Sequence, residues 1–298
     1  MKTIFLLSLI LFLLAGCARN NPEETTMQSI SDETTLEGPA VHSLTETELL
    51  MPLIDPKSSD FVRVTDYVPN VIVDLKYSGT DNFTGQEIYG FDDAFLRYGT
   101  VKKLKAVGDE LAQQGLQLKI WDAFRPVSAQ FRLWEICPDD TYVADPNKGY
   151  SNHSRGFAVD VTLVNSEGRE LEMPTGFDDF SAMADRDYSD CSPEAAENAR
   201  LLESVMAKHG LSGYQGEWWH FSDDHKYEVE TCFDPEVIAR RYLAQNAVLV
   251  ERYWVQGSRI LTIPDGEPVT ILGYSEEYAM VEYWGYRGYI PTACLMAE

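Results

Sequence analysis

Ser151-Asn152-His153-Ser154-Arg155-Gly156-Phe157-Ala158-Val159-Asp160 runs directly into Val161-Thr162-Leu163, and this stretch decides how the chain is read. From Phe157 to Leu163 it has the β-branched and aromatic composition of a strand. His153 and Asp160 are seven positions apart, an odd separation that sends two side chains to opposite faces of a straight strand. A bend is therefore required between them, and Gly156 is suited to make it. On the strand, Phe157, Val159, Val161 and Leu163 share the core face, leaving Ala158, Asp160 and Thr162 on the other. A carboxylate thus projects from an apolar element, where it needs a partner.

That partner is expected from Gly216-Glu217-Trp218-Trp219-His220-Phe221, which offers an imidazole and, three residues earlier, a carboxylate. Two histidines and an aspartate make three N/O ligands. With a fourth position left to water, this is the donor set of a catalytic zinc site, whereas a structural site is closed by four ligands, usually including Cys. Glu217 is then free to act as general base. Taken singly, each of these residues has an ordinary structural explanation, and the remaining histidines keep theirs: His42 in a polar tail, His209 at a helix C-terminus where a cation is favoured, His225 in a polar loop.

Upstream, Val101, Leu104, Val107 and Leu111 recur at three- and four-residue steps, predicting a helix over 100–115 with Gly115 as its cap. Leu116, Leu118 and Ile120 then alternate with Gln117, Lys119 and Trp121, a half-buried strand that runs into Asp122-Ala123-Phe124-Arg125-Pro126 and delivers Arg125 at its end. Strands are also predicted at Phe61-Val62-Arg63-Val64 and across Val71–Tyr77. Further helices are predicted at Val127–Ile136 and from the Ser192 cap and Pro193 to His209-Gly210. This element order predicts an α+β fold, a small mainly antiparallel sheet packed by helices with a zinc cleft on its open face. After about Asn246, short β segments at Val248–Trp254, Arg259–Ile263, Pro268–Tyr274, Ala279–Trp284 and Gly288–Ile290 predict a small C-terminal β-barrel.

At the N-terminus Lys2 precedes an apolar run from Ile4 to Leu14, followed by Ala15-Gly16-Cys17. The run is shorter than the about 20 apolar residues of a membrane-spanning helix and reads as an export signal. Residues 18–48, rich in Ser, Thr, Asp and Glu, read as a disordered acidic tether. The expected organisation is therefore signal at 1–17, tether at 18–48, catalytic domain at 49–245 and a second module at 246–298. Among 298 residues, 24 Lys and Arg face 48 Asp and Glu. Such an acidic surface argues against nucleic acid and against charge-driven attachment to anionic lipid or wall polymers. Cys137, Cys191, Cys232 and Cys294 form no C-x-x-C pair, which leaves up to two disulfides in three connectivities, or four free thiols.

The pattern S-x-H-x-x-G-x-A-x-D followed by E-x-W-H resembles the zinc D-Ala-D-Ala peptidase family, which includes dipeptidases of the VanX type and carboxypeptidases of the VanY type. The likeness to the dipeptidase branch extends from about Phe61 to Tyr242 and includes Asp74-Leu75-Lys76-Tyr77, Asp81-Asn82-Phe83-Thr84-Gly85 and Asp122-Ala123-Phe124-Arg125-Pro126. The resemblance implies zinc at His153, Asp160 and His220, a general base at Glu217 and a catalytic arginine at Arg125. It further implies Asp178, in preference to Asp179, as acceptor of the substrate's free amino group, and Ser151 and Tyr77 as substrate contacts. The N-terminal segment resembles a bacterial lipoprotein signal, implying lipidation of Cys17. Gly285-Tyr286-Arg287-Gly288-Tyr289-Ile290-Pro291 resembles the end of a bacterial SH3-like module with a cell-wall ligand, although the N-V-R-x-G-P signature of such modules is missing.

The expected activity is zinc-dependent hydrolysis of D-Ala-D-Ala to D-alanine outside the cytoplasm by a membrane-anchored lipoprotein, in cell-wall peptide turnover or D-alanine recovery. One alternative is a D,D-carboxypeptidase or endopeptidase on peptidoglycan stem peptides. Another is a noncatalytic peptidoglycan-binding lipoprotein.

Overall fold

Val101, Leu104, Val107 and Leu111 are all buried, as their spacing requires. The computed structural model describes residue 50 and residues 52–229, 231–252, 257–274 and 277–296. Three short strands come first, β1 (Phe61–Arg63), β2 (Ile72–Val73) and β3 (Phe95–Arg97), and the chain then enters helix α1 (Tyr98–Ala112). Gly115, at φ 72°, turns it into strand β4 (Leu116–Asp122). Helix α2 (Val127–Ile136) and strand β5 (Ala158–Asn165) follow. Helix α3 (Pro193–Lys208) begins as predicted, with Pro193 in its first turn and the Ser192 hydroxyl accepting the Ala195 amide. The strands β6 (Leu211–Tyr214) and β7 (Glu217–Asp223) close this part of the chain.

A five-stranded sheet is ordered β2-β4-β5-β7-β6, with β2 parallel to β4 and all other pairs antiparallel. β1 and β3 form a separate two-stranded ribbon. The predicted strand across Val71–Tyr77 shortens to β2, and Lys76–Ser78 instead form a 3-10 turn. β5, the middle strand, is buried along both faces from Ala158 to Val164, Asp160 included, so its carboxylate does need the partner that the sequence called for. Val159, Val161 and Leu163 join the core shared with α1 and α3, while the opposite face is covered as well, the arrangement that an almost wholly apolar central strand favours. Asp160 consequently sits in a low-dielectric setting.

The C-terminal strands are β8 (Ala239–Tyr242), β9 (Ala247–Val250), β10 (Arg259–Ile263), β11 (Pro268–Tyr274), β12 (Tyr278–Tyr283) and β13 (Tyr286–Pro291). They form one antiparallel sheet ordered β10-β9-β13-β12-β11-β8. Among the described residues no ladder joins β10 to β8, so the sheet is open where a closed barrel was expected. Residues 253 and 254 of the expected first strand lie outside the described residues. β8 lies upstream of residue 246, where the second module was expected to begin, and pairs with β11.

Leu243, Leu249, Ile263, Ile271, Val281 and Ile290 bury one side of this sheet. A further cluster joins Phe61, Phe95 and Phe124 to Phe233, Leu272, Met280 and Tyr289. Phe233 stacks on Phe61 at 4.5 Å and lies 5.3 Å from Phe124, so the C-terminal sheet shares a core with the segment that carries Arg125. Cys137, Cys191, Cys232 and Cys294 are free thiols. The expected export signal, Cys17, the tether and His42 lie outside the described residues. Among the described residues no helix is long and apolar enough to cross a membrane.

Candidate active site

The odd separation of His153 and Asp160 is resolved as the sequence requires. His153–Arg155 form a 3-10 turn that ends at Gly156, whose φ is 75°. A Cβ at Gly156 would lie 2.2 Å from Cε1 of Phe61, so glycine is demanded by both backbone conformation and close packing. Asp160 on β5 is the register partner of His220 on β7 and of Asp122 on β4, which puts three polar side chains in one row across adjacent strands.

His153 Nδ1 lies 2.8 Å from the carbonyl oxygen of Ala123. A carbonyl only accepts, so this contact places the proton on Nδ1 and turns the lone pair of Nε2 toward Asp160 and His220. His153 Nε2 lies 3.1 Å from His220 Nδ1, His220 Nδ1 lies 2.9 Å from Asp160 Oδ1, and His153 Nε2 lies 3.5 Å from Asp160 Oδ2. Two imidazoles and a carboxylate therefore converge, and zinc tests well against them. Tetrahedral bonds of about 2.0–2.1 Å set donor atoms about 3.3 Å apart. Burial opposes ionisation of both His153 and Asp160, but their mutual attraction outweighs it, raising the pKa of His153 and pulling that of Asp160 below the usual carboxylate range.

Glu217 and His220 are also an odd number of residues apart on one strand. The β6–β7 register shifts between Gly213 and Tyr214, a bulge that lets both face the site, and Glu217 Oε2 lies 3.8 Å from His220 Nδ1. Burial pushes the Glu217 carboxyl up to about 7, with Asp160 and Asp178 adding to the rise and His220 opposing it.

Arg125 is held through all three of its nitrogens by two partners. Its Nε and Nη2 donate to Asp122 Oδ2 at 3.0 and 2.5 Å, and its Nη1 donates to Gln130 Oε1 at 2.8 Å. Asp122, fully buried, also accepts the Tyr89 hydroxyl at 2.8 Å and stands 3.4 Å from His153 Nδ1. Asp122, Gln130 and Tyr89 were not singled out from sequence. The available signal was the D-x-x-R spacing at the end of β4.

Asp178 has φ 54°, an unusual backbone for a non-glycine residue that aspartate tolerates better than most. Its Oδ2 accepts the Tyr77 hydroxyl at 2.7 Å, and the Tyr77 ring lies 4.9 Å beneath the Arg125 guanidinium. Burial raises the Asp178 carboxyl to about 7 against the opposing hydrogen bond from Tyr77. Asp179 is exposed and instead accepts the Ser181 amide. Ser151 is buried beside the metal-ligand turn, where its hydroxyl accepts the His153 amide at 3.3 Å.

His153 and Asp160 are buried, His220 is partly exposed, and this His/Asp/His donor set, flanked by a carboxyl of raised pKa and a clamped guanidinium, has the make-up of a single-metal hydrolytic centre. Sequence comparison gives the family. The chain belongs to the D-ala-D-ala dipeptidase family, whose model matches residues 57–246, and this is a zinc-dependent metallopeptidase family. The chain is 39% identical over 165 residues to a D-alanyl-D-alanine dipeptidase of Escherichia coli, covering 55% of this chain and 84% of that one. It is 34% identical over 198 residues to a D-alanyl-D-alanine dipeptidase of Streptomyces coelicolor, covering 59% and 98%. Among solved structures, the vancomycin resistance D,D-pentapeptidase VanY from a VanB-type resistance cassette, in complex with Zn(II), matches with a TM-score of 0.31 and 15% identity, over 46% of this chain and 76% of that one.

Proposed function

We propose that this peptidase hydrolyses the D-Ala-D-Ala dipeptide to D-alanine outside the cytoplasm, anchored to the membrane by a lipid on Cys17. The observation that carries the substrate reading is the position of Asp178: Tyr77 holds its carboxylate and at the same time packs against Arg125. A carboxylate fixed there suits a substrate whose free ammonium lies one residue from the bond to be cut.

In this reading His153, Asp160 and His220 would hold zinc, which would supply Lewis-acid polarisation of the carbonyl and a more acidic water. Glu217 takes the proton from the attacking water and delivers one to the leaving amine, work suited to a carboxyl whose pKa lies near neutrality. Arg125 keeps its charge throughout. Three of its five N–H groups are engaged by Asp122 and Gln130, which leaves one on each Nη to receive the carbonyl oxygen as negative charge develops. Asp178 accepts the substrate ammonium, and the pairing replaces the solvation that its burial removed.

The same groups suit a D,D-carboxypeptidase on stem peptides. Read as an SH3-like module with a cell-wall ligand, the C-terminal sheet favours that alternative; Asp178 favours the dipeptide. The test is to incubate the zinc-loaded protein separately with D-Ala-D-Ala and with a pentapeptide stem and to follow released D-alanine. Cleavage of the dipeptide is expected. Cleavage of the stem alone would move the assignment to the carboxypeptidase, and cleavage of neither would leave a noncatalytic binding protein. For the anchor, Cys17→Ser is expected to move the protein from the membrane fraction to the soluble fraction, and an unchanged distribution would refute lipidation.

A further inference from the structure

The loop Asp81-Asn82-Phe83-Thr84-Gly85 has no part in the chemistry above, yet it is built with unusual care. Asn82 Nδ2 lies within 3.0 Å of the carbonyl oxygens of Lys76, Gly79 and Gln86, and Asn82 Oδ1 accepts from both the amide and the hydroxyl of Thr84. One side chain thus fixes the whole loop, and what the loop presents is the ring of Phe83.

Phe83 lies edge-on to Tyr77 at 6.4 Å and to Phe180 at 5.2 Å, and Phe180 packs on Tyr142 at 4.5 Å. A row of rings therefore leaves the site at Tyr77, the partner of Asp178, and reaches solvent at Tyr142, which is 42% exposed. Three separate loops contribute to it. Phe180 follows Asp178 by two residues, in a turn where Asp179 accepts the Ser181 amide. The loop of Tyr142 is tied to the catalytic arginine: Gln130 Nε2 donates to Ala144 O at 2.7 Å, while Gln130 Oε1 accepts from Arg125.

We infer that Phe83, Phe180 and Tyr142 form the wall that sets the length limit of the substrate, blocking any residue that extends beyond the amino group received by Asp178. The inference rests on the dipeptidase reading and adds to it a steric element distinct from the charge of Asp178. A carboxylate alone disfavours a blocked amine. An aromatic row alone disfavours bulk, and the two act on different features of a longer peptide.

The experiment compares kcat/KM for D-Ala-D-Ala and for D-Ala-D-Ala-D-Ala in the wild type, Phe180→Ala, Tyr142→Ala and Asp178→Asn, with zinc content measured for each. The tripeptide-to-dipeptide ratio is expected to rise at least about tenfold in Phe180→Ala and in Tyr142→Ala through faster tripeptide cleavage. In Asp178→Asn the dipeptide rate falls with no gain in tripeptide cleavage. Tyr142→Ala removes a ring that is 42% exposed and lies at the outer end of the row, so it gives a reading even if Phe180→Ala folds poorly. A ratio unchanged in both aromatic variants, while the wild type cleaves the dipeptide, overturns the wall. A wild type that cleaves no dipeptide overturns the substrate reading on which it stands.

Discussion

Asp178 offers the sharpest test at the scale of a single residue. Its carboxyl is raised from 3.8 to about 7 by burial, so the folded chain holds this proton more tightly than the unfolded chain. The resulting contribution to stability is fully present below about pH 4 and is lost as pH rises through about 7. For the metal-free protein, the stability of Asp178→Asn relative to wild type is therefore expected to increase from pH 4 to pH 7, read from urea unfolding at a series of pH values. A difference that stays flat across that window would contradict the burial of this carboxyl. At this scale much was legible in the sequence: His153, Asp160, His220 and Glu217 could be named because their residue types and order match a motif. Asp122, Gln130 and Tyr89 could not, because their hydrogen bonds to Arg125 and to one another exist only once β4, α2 and the segment before β3 are brought together.

Among the elements, the site depends on interruptions of regular structure. The 3-10 turn at His153–Arg155 and the β6–β7 register shift convert two odd spacings into side chains on one face. The sequence pointed to the first through Gly156, while the second has no residue signature and was visible only as a register. Gly156→Ala is predicted to cost stability by about 1–3 kcal/mol from the left-handed backbone alone. The clash with Phe61 adds to this, and zinc affinity should weaken as His153 is displaced. Wild-type stability and zinc affinity in this variant would show that the turn is not what positions the ligand. Helices α1 and α3 were readable from apolar period and caps. Lys76–Ser78 were not, because Val71–Tyr77 has the composition of a strand while Leu75 and Tyr77 are claimed by packing beneath the site.

For the whole molecule, the C-terminal sheet is joined to the peptidase part through the Phe61, Phe124 and Phe233 cluster. The sequence texture after residue 246 suggested a separate small barrel. β8 escaped notice because Ala239-Arg240-Arg241-Tyr242 has too few apolar residues to announce a strand, and it is the hydrogen-bonding edge of β11 that organises it. Phe233→Ala empties the centre of this shared core and is predicted to lower global stability by about 3–5 kcal/mol, measured by denaturant unfolding. It should also depress turnover, because the cluster supports Phe124, the neighbour of Arg125. A loss confined to the C-terminal sheet, with peptidase stability and turnover intact, would instead mark two independent modules.

The most direct measurement is release of D-alanine from D-Ala-D-Ala by the zinc-loaded protein, with Glu217→Ala assayed beside it and zinc content determined for both. The prediction is steady turnover by the wild type, its loss on chelation, and a rate at least about 10²-fold lower in Glu217→Ala at equal zinc content. Equal turnover by the two proteins, or none by the zinc-loaded wild type, would contradict the assignment of this site as a zinc dipeptidase centre with Glu217 as its base.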